Sequence, residues 1–233
     1  MVLIKPNIGW SSTPEQGANT HPEVVAALVR ACRDLQPKQL IVSDCPVRTS
    51  RPAFVRSGIL AAAQEAGAEV VIPEESSYRQ VQISERLGIW DIVEPFVVAT
   101  KIINVPVAKF HSLIGLSAGM KNWLGITNKL RLNFHNDLQR SIAELAAMMR
   151  PTLTIVDATR VLMHGGPEGG SPDDVKPVNT IVASLDPVAA DAWAWSLLGP
   201  AGAAVPGYLR ITEEMQLGTM DFAALQPVEL VAG

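Results

Sequence analysis

The chain has 233 residues, 48% of them apolar but only 5% aromatic, and carries a formal charge of −4 from 19 basic and 23 acidic side chains. That length suits a single large domain with an aliphatic core that needs no covalent staple, and the acidic balance argues against nucleic acid, whose binders need a basic face. The two cysteines, Cys32 and Cys45, fit neither a metal-ligand spacing nor a disulfide framework, as expected of a reducing cytoplasm.

Residues 2–5 (Val-Leu-Ile-Lys) read as a first strand that starts at once. They lack the basic start, apolar stretch and cleavage site of a signal peptide. No segment approaches the ~20 apolar residues that a membrane-spanning helix requires. A soluble, cytoplasmic chain is expected, shortened by one element ahead of this strand. After a polar loop over residues 6–19, Thr20 with Glu23 three residues on predicts a capping box. The helix behind it places Val25, Leu28, Cys32 and Leu35 on one face, which makes Cys32 a buried core thiol.

A second strand is predicted over 39–44, a helix over 51–66 closed by Gly67, and a third strand over 69–72. Residues 73–96 admit two readings: Val81 and Ile83 alternate like an edge strand, whereas residues 89–93 suit a short helix. A strand follows over 96–105. Residues 111–136 are glycine-bearing and basic, with little periodicity. A helix over 137–149 takes Asn136 or Asp137 as its cap. Strands are predicted over 152–157 and 179–185, separated by a Gly/Pro/Asp-rich loop over 164–177. Asp186 and Pro187 start a further helix, and the tail adds a helix over 208–217 and a strand near Val228.

Strands alternating with helices predict an α/β fold, a mainly parallel sheet flanked by helices with a glycine-rich irregular insertion. The expected organisation is one domain over 1–233, with site-forming loops at 106–136 and 160–178. The apolar runs stop at polar residues: Lys5 with Asn7, Asp44, Asn104 with Lys109, Asp157, and Asp186. In an open parallel sheet ligands bind outside the carboxyl ends of the strands, so these groups are expected on one rim. Lys5, Lys109 and Lys121, with Asn122 and the glycines around Gly166, suit a phosphate or carboxylate. His111 and His135 are the candidate proton-transfer groups, with Asp157 or Asp186 to orient a histidine or a metal. A divalent metal on histidine with Asp157 or Asp44 is an open alternative, although no histidine pair has helical spacing. Asp191 lies in a helix that is apolar nearly all round and must be paired or hydrogen-bonded there.

Residues 115–122 depart from the Walker spacing, and neither a dinucleotide fingerprint nor a nucleophile elbow is present. The segments Val2-Leu-Ile-Lys-Pro-Asn7, Thr20-His-Pro-Glu23 and Ile103-Asn-Val-Pro106 with Lys109-Phe-His111 nevertheless form a pattern. So do Gly119-Met-Lys-Asn122 with Gly125, His135, Ile155-Val-Asp157, Gly166-Pro167 with Gly170, and Asp186-Pro-Val-Ala-Ala-Asp191. Together they resemble, over residues 2–198, the bacterial and archaeal family named only as domain of unknown function 362. Many of its members carry a ferredoxin-like iron–sulfur segment with clustered cysteines. This chain has no such cluster, so the resemblance implies no iron–sulfur cofactor here.

The expected function is that of an enzyme acting on a small anionic metabolite, with no nucleic acid or membrane partner and with an oligomer left open. The alternative is a non-catalytic protein binding a metal or cofactor through His and Asp. A third class is a module that docks a partner protein through Trp90 and the aliphatic tail at residues 230–232.

Overall fold

A computed structural model describes residues 1–47, 50–127, 129–200 and 202–231, with residues 129–132 as backbone only. Strand β1 (Val2–Pro6) is the pivot of the sheet. Helix α1 (Pro22–Asp34) leads from it to β2 (Leu40–Ser43). Helices α2 (Ser50–Arg56) and α3 (Ile59–Ala66) then lead to β3 (Glu69–Val71). The strands β1, β2 and β3 pair in parallel. A separate hairpin follows, β4 (Tyr78–Ser84) with β5 (Gly88–Val93), and then the short α4 (Glu94–Val98).

The chain next returns to the other side of β1 as β6 (Lys101–Val105), parallel and in register from Val2↔Lys101 to Pro6↔Val105. After Pro106 it runs on as β7 (Val107–His111), which pairs with the short antiparallel β8 (Gly115–Ser117). Helix α5 (Leu138–Met149) precedes the long β9 (Leu153–Leu162), parallel first to β6 and then to β7. Strand β10 (Val175–Ser184) folds back antiparallel along β9. Helices α6 (Pro187–Leu198) and α7 (Gly207–Glu214) complete the fold.

This is the expected α/β arrangement of a mainly parallel sheet flanked by helices. Its two faces follow from the strand period of two residues. Leu3, Ile41 and Val156 point to the core shared with α5, α6 and α7, while Ile4, Val42 and Ile155 point to the core under α1 and α3. Cys32 is buried in that second core, as its helix position predicts. Each such side chain taken out of water contributes roughly 1.5–3 kcal/mol.

Several local expectations are corrected. The predicted helix over 51–66 is two helices, because Gly58 adopts φ +75, a left-handed conformation that interrupts the helical ladder. Residues 89–93 are strand, and residues 94–98 open as helix α4 before β6 begins. The cap of α1 is His21, whose Nδ1 accepts from the Glu23 amide, not Thr20. Thr20 is buried and ties two segments together: its hydroxyl donates to Val105 O and accepts from the Asn7 amide. Asp137 caps α5, as one of the two expectations had it. Around Val228 the chain forms no strand.

Strand order places the site. The chain leaves β1 first toward β2 and later returns on the β6 side, so the order reverses at β1, where open parallel sheets bind ligands. Strand β1 stops at Pro6 while the β6–β7 chain continues to His111. The space beside β7 beyond that point is left for loops and side chains.

Candidate functional site

A cavity of about 700 Å³ opens there, at the carboxyl ends of β1 and β2 and alongside β7. Its floor is polar and buried. Lys5 leaves β1 beneath it, with Nζ 2.7 Å from Asp44 Oδ1 and 3.1 Å from Asn122 Oδ1; both partners in the Lys5–Asp44 pair are essentially without solvent contact. Asp44 is held further by the backbone amides of Ile8 and Cys45. Asn122 is fixed on all sides. Its Oδ1 accepts from Lys5 and from Asn7 Nδ2 (3.1 Å), and its Nδ2 donates to Asn104 Oδ1 (2.8 Å). Asn104 in turn donates to Gly119 O (2.8 Å). Such a network positions its members because every polar atom in it is satisfied.

Gly125 is required by this packing. A Cβ there would stand 2.2 Å from Asp44 Oδ1 and 2.9 Å from Lys5 Nζ. The turn carrying Lys121 and Asn122 is anchored from below by Asp191, which accepts from the amides of Gly119 (2.6 Å) and Met120 (3.0 Å) and from the Tyr208 hydroxyl (3.1 Å). Burial pushes the Asp191 carboxyl up to about 7, against the pull of those three donors. The partner required for this buried carboxylate is therefore backbone and a tyrosine, not a cation of the site.

Lys109 is the second buried lysine. Its Nζ donates to Asn7 Oδ1 (2.8 Å) and to Ala18 O, both neutral, and among the described residues it makes no ion pair. Burial, then the charge of Lys121, hold its ammonium well below the usual lysine range, with Asp44 opposing. His111 is 4% exposed. Burial and the charges of Lys121, Lys109 and His135, in that order, push its imidazolium down to about 3. Its Nδ1 accepts from the Leu113 amide (3.2 Å), so the neutral ring carries its proton on Nε2. Near neutral pH His111 is a hydrogen-bond donor at Nε2, not a titrating acid–base group.

The cavity therefore gathers Asn7, Lys109, His111, Lys121, Asn122 and His135 in its wall. Lys5 and Asn104 stand one layer below, joined to it through Asn122. Gly166 sits just before Pro167 and Glu168, which line the outer wall.

Asp157 and Asp186 are not part of the wall, which corrects the expectation of one shared rim. Strand β9 runs on to Leu162, so Asp157 is a buried mid-strand residue. It binds the His21 amide (2.7 Å), the Thr159 hydroxyl (2.6 Å) and Arg160 (3.2 Å). Strand β10 is antiparallel, with Ser184 opposite Thr154 near the start of β9, so Asp186 emerges at the other edge of the sheet. There it caps α6 through the amides of Val188 and Ala189 and accepts from Thr219. Among the described residues no three His, Cys, Asp or Glu side chains stand close enough to hold a metal ion. Cys32 lies in the core under α1, whereas Cys45 lines the cavity, so the two do not pair.

Sequence reasoning missed Trp10, Cys45, Val47, Leu113 and Glu168 in the cavity wall. Trp10 had a readable signal, since a tryptophan in the polar loop after a first strand has no helix or strand period to bury it. The others had none.

Residues 2–196 match the family described as “Domain of unknown function (DUF362)”. The chain is 26% identical over 198 residues to the thylakoid-associated protein sll1697 of Synechocystis sp. (strain ATCC 27184 / PCC 6803 / Kazusa), a match covering 82% of this chain and 60% of that protein. It thus spans less than two thirds of that relative's length. Among solved structures, the lactate racemase apoprotein from Thermoanaerobacterium thermosaccharolyticum is similar with a TM-score of 0.51 at 12% identity, over 78% of this chain and 45% of that one. At that identity the likeness is one of fold. Among the described residues no helix is long and apolar enough to cross a membrane.

Proposed function

The chain belongs to the family described as domain of unknown function (DUF362), and from its cavity we propose that it is an enzyme acting on a small anionic metabolite that bears a carboxylate or phosphate. One observation carries this reading. Buried Lys109 has only neutral acceptors, and burial, then the charge of Lys121 beside it, holds its proton binding well below the usual lysine range; His111 and His135 share the same cavity. Like charges gathered in a low-dielectric cavity repel one another, and an anion among them relieves that repulsion. Perturbed proton affinities of this kind cluster at functional sites.

In this reading Lys109 and Lys121 hold the anion, and the side-chain amide of Asn7, braced by Asn122, sets its orientation. His111 donates through Nε2 to an oxygen of the ligand, where it stabilises negative charge that develops during reaction. His135, exposed in the cavity wall, is the remaining candidate proton-transfer group. Asp157 and Asp186 are engaged elsewhere and take no part. A metal-dependent reading has less support, because the described residues offer no ligand cluster. A cytoplasmic location goes with this reading, supported by the two free cysteines; the Synechocystis relative is described as thylakoid-associated, and cell fractionation decides between the two locations for this chain.

The test is a panel of inorganic phosphate and short mono- and dicarboxylates, read by thermal unfolding and calorimetry. A ligand at a hundred times its Kd stabilises the fold by about 2.7 kcal/mol. At least one anion should stabilise the wild type and lose that effect in Lys109→Met and in Lys121→Met. Bound anions are then incubated in D2O, where His-dependent proton transfer would appear as deuterium at carbon. A panel without a binder, or binding equal in both lysine variants, sinks the reading.

A further inference from the structure

The cavity is too large for a bare phosphate or acetate to fill. At about 30 Å³ per non-hydrogen atom, a five-atom anion fills on the order of 150 Å³, whereas the cavity holds about 700 Å³. Among its polar lining residues Lys109, His111, Asn122 and Asp44 are buried. Trp10, Val47 and Leu113 also line it, and they are less buried: Trp10 and Val47 are half-buried and Leu113 is exposed.

Those three share an unusual property. None belongs to either hydrophobic core cluster. Leu113 is 67% exposed and Trp10 is half-buried. Trp10 also borders a second cavity of about 210 Å³, beside Gly9, Ser12 and Glu168. Its backbone, by contrast, is fixed: its amide donates to Asn19 Oδ1 (3.2 Å) and its carbonyl accepts from Asn19 Nδ2 (2.9 Å). A large indole on an anchored backbone, facing a cavity and not the core, leaves its apolar face open to a ligand. Flat rings pack against such a face by offset stacking or edge-on, which adds to simple burial.

We propose that the anion taken by this cavity carries an aromatic ring, with its charged head on the buried Lys109–Asn122 floor and its ring against Trp10. This rests on the anion reading above and narrows it to an aryl-bearing carboxylate or phosphate.

Calorimetry on the whole chain tests it with inorganic phosphate against phenyl phosphate, and acetate against phenylacetate, with butyl phosphate as a non-aromatic control and benzyl alcohol as an uncharged one. In at least one pair the ring should tighten binding tenfold or more, benzyl alcohol should not bind, and butyl phosphate should gain less than phenyl phosphate. In Trp10→Ala the ratio of ring-bearing to ring-free affinity should fall to within about twofold of one, and Trp10→Phe should restore part of it. If phosphate or acetate binds with no gain from the ring, or the gain survives Trp10→Ala, the ring assignment is overturned and the anion reading stands. Equal gains from butyl and phenyl groups overturn it too. If no anion binds at all, both fall together.

Discussion

His111 should stay neutral throughout the physiological pH range, and this can be tested without knowing the ligand. Its proton affinity is lowered from the ordinary 6.5 to about 3 by burial and by Lys121, Lys109 and His135. At about 1.4 kcal/mol per pH unit, charging the ring costs about 5 kcal/mol more in the native state than in the unfolded chain. The Leu113 amide, aimed at Nδ1, opposes protonation there as well. A histidine whose native value lies below its unfolded value takes up its proton on unfolding. Its contribution to stability is thus complete above pH 6.5 and is lost as pH falls toward 3. At pH 5 the loss amounts to about 2 kcal/mol relative to pH 8. Two assays read this. Long-range proton–nitrogen NMR of the imidazoles should show one histidine held as the Nε2–H tautomer from pH 5 to 9, absent from the His111→Gln spectrum. Urea unfolding should show the wild type losing about 2 kcal/mol more than His111→Gln between pH 8 and 5. In Lys109→Met the midpoint should move up but stay below 6.5, since burial is the first cause of the shift. A wild-type His111 that titrates within one unit of 6.5 would refute the reasoning.

Three further outcomes follow from the same geometry. Lys5→Met leaves Asp44 buried without its cation and should cost about 3–5 kcal/mol in denaturant unfolding, while Lys5→Met/Asp44→Asn together should recover part of it; a loss below 1 kcal/mol in the single variant counts against a structural role for the pair. Gly125→Ala forces a methyl to within 2.2 Å of Asp44 Oδ1 and should cost about 1–3 kcal/mol, visible as a lower Tm and a disturbed anion affinity. Asp191, with its native value raised to about 7, contributes stability that is complete below pH 4 and lost as pH rises through 7; the Tm of the wild type should therefore fall more steeply than that of Asp191→Asn between pH 5.5 and 8.5, and parallel curves would contradict the assignment.

Most of the predicted site residues that line the cavity share one feature. Asn7, Lys109, His111, Lys121 and Asn122 lie at or just past strand or turn positions where a polar group would be costly without a local purpose. Asp157 and Asp186 met the same criterion, yet their carboxylates bind backbone amides and hydroxyls. Hydrogen-bonded capping and ligand binding use the same residue types, so composition alone does not separate them. Likewise a lysine such as Lys5 reads as a ligand contact, whereas its partners Asp44 and Asn122 come from distant segments.

The sequence by itself determined the alternation of strand and helix, the buried face of the first helix that carries Cys32, and the absence of clustered cysteines. These are properties of local period and residue type, and they survive any arrangement of the elements. Only the tertiary structure decided that β10 runs antiparallel, which removes Asp186 from the rim, and that β1 ends while β7 continues, which opens the cavity. Only it brought Trp10, Val47 and Leu113 to one cavity and set buried His111 beside Lys121, Lys109 and His135. Strand direction and pairing are relations between segments far apart in the chain, fixed by how buried surfaces meet, and no local pattern encodes them.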